Sequence, residues 1–120
     1  MSRQIANPIV LAGDIHTSWV NYLKADWRDP NSATIGSEFI CTSISSEGDN
    51  PATFFEAYLA ENPHIKFFDQ RHGGYAGVTL TPDLWQGDVK VLQSVTTPGA
   101  PLSTAASFVV EAGRPEVQRA

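Results

Sequence analysis

The chain holds one cysteine, Cys41, among its 120 residues. A single thiol closes no internal disulfide framework and builds no cysteine-based zinc site. Long apolar runs are missing as well. The longest near the start, residues 8–12, is five residues long, far short of the ~20 that span a bilayer. No basic segment followed by an apolar one marks an export signal, so either the chain stays in the cytoplasm or its true N-terminus lies upstream. Basic runs are absent too: 8 Lys and Arg face 13 Asp and Glu, a net charge of −5. That balance leaves no electrostatic footprint for nucleic acid and none for an anionic membrane. There is no Walker-type loop, nucleophile elbow or Rossmann fingerprint. The acidic residues are too scattered for a calcium loop.

What is present describes a folded domain. Hydrophobic residues make up 42% and aromatics 10%, which excludes a disordered polar tail. The length suits one domain or part of one. Residues 8–12 (Pro-Ile-Val-Leu-Ala) form a short branched run closed by Gly13, the pattern of a buried strand. Residues 19–25 fit strand and helix alike, and residues 36–43 read as a strand. Residues 50–61 predict a helix. Asn50 caps it, Pro51 sits at its first position, and Phe55, Tyr58 and Leu59 share one face. Asn62-Pro63 stops it.

Beyond Pro63 the pattern turns to β, with strands expected at residues 65–68, 75–81, 84–95 and 107–111. In the third of these Trp85, Val89 and Val91 share a face. Residues 97–101 are a turn-rich break. The expected fold class is α+β, β-dominated.

Among chemistry-bearing residues, Asp14 and His16 lead. Two apart in an extended segment, they point the same way, so a carboxylate oxygen and an imidazole nitrogen can converge on one metal ion. The plainer alternative is that Asp14 braces the loop and His16 packs beside it. His64 opens a strand and reads as a hydrogen-bonded edge histidine or a pocket residue. His72, in Arg71-His72-Gly73-Gly74, reads as a solvated turn residue. Cys41 reads as an inert thiol, and the hydroxyl-rich residues 42–46, Ser43 among them, as turn chemistry or a pocket lining. The three tryptophans read as core or rim packing.

Taken in order, several blocks resemble the C-terminal part of PhoD-like alkaline phosphatases. These are Gly13-Asp14-Ile15-His16-Thr17-Ser18-Trp19, then residues 36–40 running into 42–46, then Asn62-Pro63-His64-Ile65-Lys66-Phe67-Phe68 with Gly74-Tyr75. Residues 97–101 and 108–115 complete the series. The resemblance implies a metallophosphatase-type α/β/β/α sandwich, of which residues 1–120 form a single partial domain. It also implies metal-dependent hydrolysis of phosphate mono- and diesters, with an iron and calcium centre and a phosphate ester as substrate. Asp14 and His16 would be catalytic metal ligands, and His64 and Ser43 would touch substrate.

The family's other metal-binding stretches lie upstream of the matching blocks, and two ligands fall short of the three or more that hold each metal. The resemblance therefore implies a chain inactive alone, whose partner is the N-terminal part of the same enzyme. It places the full-length enzyme in an extracellular or periplasmic setting. It also leads to apolar strand faces left uncovered in the isolated chain. The competing reading is a small, non-catalytic, acidic β-rich binding or interaction domain with a closed core and no metal.

Overall fold

The computed structural model describes residues 5–46 and 55–120. Within them eight strands form two four-stranded sheets. The second sheet is the simpler one. β5 (Gly74–Leu80), β6 (Leu84–Leu92), β7 (Leu102–Glu111) and β8 (Gln118–Arg119) lie side by side in chain order, each antiparallel to the next. Pro82-Asp83 makes the tight connection between β5 and β6, closed by the Thr81 amide donating to the Leu84 carbonyl at 2.8 Å. Burial alternates strictly along β6, the period-two signature of a sheet with one face on a core.

The first sheet is mixed. β1 (Ile9–Ala12), β2 (Ser18–Lys24), β3 (Thr34–Ile40) and β4 (Ile65–Asp69) take the order β1-β3-β2-β4. β1 runs parallel to β3, while β2 is antiparallel to both β3 and β4. Its inner face supplies Val20 and Phe39, which meet Trp85, Val89, Val91, Ala106, Phe108 and Val110 of the second sheet. The Phe39 ring lies 4.3 Å from that of Trp85, and Phe67 lies 5.8 Å from Phe108. Burial of a ring such as Phe108, 2% exposed, is worth roughly 1.5–3 kcal/mol.

Gly87 makes the central contact possible. A β-carbon there would lie 2.5 Å from the Trp85 ring and 3.0 Å from that of Phe39. Two polar ties also link the sheets. The fully buried Ser37 hydroxyl donates to the Pro115 carbonyl at 2.7 Å. The Asn7 amide donates to the carbonyls of Glu111 and Arg114.

Four expectations change. The predicted helix begins in residues 50–54, outside the described residues. Its remainder is a single 3-10 turn, Glu56–Tyr58, with the amides of Tyr58 and Leu59 donating three residues back. A segment this short needs a packed face to stay helical, and Tyr58 is exposed. The chain is thus β-dominated, with no α-helix among the described residues.

β1 forms where expected but not where its composition pointed. It stands at the sheet edge with Val10 42% and Leu11 63% exposed. A branched apolar run sets strand propensity and does not choose a cover. β7 starts five residues early, because its exposed Ser103, Thr104 and Ala105 carry no alternating apolar signal. The expected polar tail contains β8.

Candidate functional site

The strand register brings the chemistry-bearing segments to one end of the first sheet. Ala12 pairs with Ile40, Ile40 with Trp19, and Trp19 with Phe68, forming one row across all four strands. Beyond that row the chain leaves β1 and β3, enters β2 and leaves β4. Residues 13–17, 41–43 and 69–73 therefore lie at the same end. The parallel ladder runs one bond past β1, from the Cys41 amide to the Ala12 carbonyl at 2.9 Å. Cys41 follows β3 directly and is half-buried.

The loop carrying Asp14 and His16 is not extended. Asp14 has φ of +74° and His16 of +60°, the left-handed region that non-glycine residues rarely enter. The Ile15 amide donates to the Gly13 carbonyl at 3.0 Å. With positive φ at Asp14 this makes a γ-turn of the rare, strained kind. The Thr42 hydroxyl donates to the His16 carbonyl at 3.0 Å, and the Trp19 indole donates to the buried Thr17 hydroxyl at 2.6 Å. The loop is thus pinned on both sides. The expected common direction of two side chains on one strand does not apply, since both residues leave the extended conformation. Among the described residues no three His, Cys, Asp or Glu groups converge on a point that could hold a metal ion.

Ser43 lies at the same end, its carbonyl accepting from the Gly74 amide at 3.0 Å. His64 does not. Its carbonyl accepts from the Tyr22 amide at 2.8 Å, three residues along β2 from Trp19 and so about 10 Å down the strand. Burial holds the His64 imidazole below the usual histidine range. Glu38 pulls it up, while Lys66 and Lys24 push it down.

His72 corrects the reading of a solvated turn. It is half-buried, with Nδ1 2.7 Å from Oδ2 of Asp69. Oδ1 of Asp69 accepts from the amides of Arg71 and His72 at 2.7 and 3.0 Å. Carboxylate and imidazole are thereby fixed together. The signal was Asp69-x-x-His72 at the end of an apolar strand, and spacing alone did not separate it from an ordinary turn. Gln70, also unforeseen, is buried; its amide nitrogen has no partner among the described residues, while its oxygen accepts from the Phe55 amide at 3.4 Å.

Comparison with known proteins adds to this geometry. A family model described as PhoD-like phosphatase matches residues 1–89. Alkaline phosphatase D of Bacillus subtilis (strain 168) is 42% identical over 112 residues, which are 92% of this chain and 19% of that protein. A solved structure, "Structure of PhoD", superimposes with a TM-score of 0.83 at 40% identity, covering 92% of this chain and 22% of that one. The chain spans about a fifth of the length of these relatives.

Proposed function

The chain belongs to the PhoD-like phosphatase family, and on that premise we propose that it forms the C-terminal part of a metal-dependent hydrolase of phosphate mono- and diesters. The two packed sheets are the β layers of an α/β/β/α sandwich that the rest of the enzyme completes. The exposed outer face of β1 is where that remainder seats. Asp14 and His16 contribute to an iron and calcium centre, and Ser43 lines the phosphate ester pocket. The enzyme acts outside the cytoplasmic membrane.

One observation carries this reading: two left-handed non-glycine residues, Asp14 and His16, separated by a single residue in a pinned loop. Such strain persists only where its surroundings enforce it, and it clusters at functional sites. The donor set fits a metal, since a carboxylate oxygen and an imidazole nitrogen suit borderline and hard cations. A bound metal supplies Lewis acidity toward the phosphoryl oxygen and an activated water. The chain's own residues hold and orient. The γ-turn sets the Asp14 backbone, Thr42 anchors the His16 backbone, and the Asp69 carboxylate orients the His72 imidazole.

The test uses the full-length enzyme carrying this segment, with metal content and p-nitrophenyl phosphate hydrolysis measured together. Asp14→Asn and His16→Ala should each lower metal affinity by at least about tenfold to a hundredfold, the loss typical of partners one step further from a metal. Activity should fall in parallel. Wild-type metal content and turnover in both variants would remove the proposal.

A further inference from the structure

At the far end of the first sheet, beside His64, lies a cavity of about 470 Å³, within the range that small-molecule sites occupy. It is separate from the proposed metal end and independent of that reading. Three of the eight Lys and Arg in this acidic chain, Lys24, Arg28 and Lys66, line it. Tyr22 and Trp27 supply aromatic walls.

The placement of Trp27 is the unusual feature. It is 58% exposed, yet the loop that carries it is tightly knit. The Ala25 amide donates to the Ala33 carbonyl at 2.9 Å. The carboxylates of Asp26 and Asp29 accept from the amides of Arg28 and Asn31 at 2.9 and 2.8 Å. The Ser32 hydroxyl donates to the Asp26 carbonyl at 2.8 Å, and the Lys24 ammonium donates to the Ser32 carbonyl. Trp27 also meets the His64 ring edge to face, with centroids 4.9 Å apart. Across the cavity the Lys66 ammonium stands 4.3 Å from the centre of the Tyr22 ring. A large apolar ring is thus fixed in water beside cations. Such preorganisation lowers the entropy lost when a ligand binds.

We infer that this cavity is a second ligand site, taking a nucleoside monophosphate with its base stacked on Trp27 and its phosphate on Lys66 and Lys24. Several groups on the wall have a counterpart in that ligand. An aromatic face stacks with a base. The ammonium groups meet the phosphate as point charges. Asp29 and Glu61, the two carboxylates on the same wall, are acceptors suited to ribose hydroxyls. The neutral His64 that burial favours keeps one ring nitrogen free to accept.

Calorimetry on the full-length enzyme carrying this segment, in chelator with no metal to support hydrolysis, tests this with AMP, adenosine and inorganic phosphate as probes. AMP should bind saturably, and about tenfold or more tightly than either half alone. Trp27→Ala should weaken it by about tenfold, a stacking loss, while Trp27→Phe retains most of the affinity. Lys66→Met should reduce AMP binding and leave adenosine unchanged. Both residues are exposed, so both variants should keep the wild-type circular dichroism. No saturable AMP binding, AMP no tighter than adenosine or phosphate, or equal affinity in Trp27→Ala would each overturn the inference. Because the chelator removes the metal, failure here leaves the phosphatase reading standing, and success does not depend on it.

Discussion

The two sheets differ in kind. The second is a meander of neighbours with a regular burial pattern, and it supplies most of the buried apolar side chains. The first contributes only Val20 and Phe39 to the fully buried core. It mixes parallel and antiparallel pairing, and register shifts interrupt β2 against both of its neighbours, where the second sheet has one, between β6 and β7. It also holds both strained residues of the candidate site and the loop that fixes Trp27. Stability is concentrated in one layer and the candidate site in the other. A layer that must present loops at defined angles gives up regular pairing to do so.

The sharpest way to break this contrast is to damage the core from the second sheet. Phe108→Ala should cost about 3–5 kcal/mol, measured by urea unfolding; a loss under 1 kcal/mol would show that the stabilising contacts lie elsewhere. Gly87→Ala drives a methyl into Trp85 and Phe39 and should cost about 1–3 kcal/mol. It should also perturb the near-ultraviolet circular dichroism of the tryptophans.

In the first sheet the sign reverses. Asp14→Gly relieves the left-handed backbone and should raise stability by about 1 kcal/mol, and under the proposed metal role it should lower metal affinity in the longer protein. A destabilised Asp14→Gly protein would mean that the turn is held by the Asp14 side chain and is not strained.

The smallest effect is on pH dependence. His64 has its folded pKa lowered by burial, so its contribution is present above about pH 6.5 and is lost as pH falls through the lower folded value. Asp88 is lowered by hydrogen bonds from Ser107 and then Gln86. Its contribution is present above about pH 3.9 and is lost on further acidification. Two separate acid steps, one from each sheet, should appear in unfolding free energies, and His64→Gln should flatten only the upper one.

Much of the second sheet was legible because period-two burial writes itself into Trp85, Val89 and Val91. The turn at residues 97–101 announced itself through Pro98-Gly99. β2 was ambiguous, since Trp19-Val20-Asn21-Tyr22-Leu23 satisfies either period over so short a span. The predicted helix rested on one apolar face, and periodicity carries no knowledge of whether that face finds a partner.

At the site, residue types pointed to Asp14 and His16, but the distance argument assumed an extended chain. A local reversal of φ is invisible to spacing. His64 and Ser43 were both expected to touch substrate, and sequence order does not say which end of a strand each occupies. The pairing of Tyr22 with His64 sets that, and it is a long-range contact. The Asp69–His72 pair looked like any turn because a spacing of three is common to turns that fix no imidazole.

The rim of β1 has a consequence for handling the protein. Its backbone amides and carbonyls face outward beside Val10 and Leu11, an open template onto which another extended segment can add. Copies of this 120-residue chain alone should stack through this rim as concentration rises, seen as growing light scatter. A lysine in place of Leu11 should keep them apart.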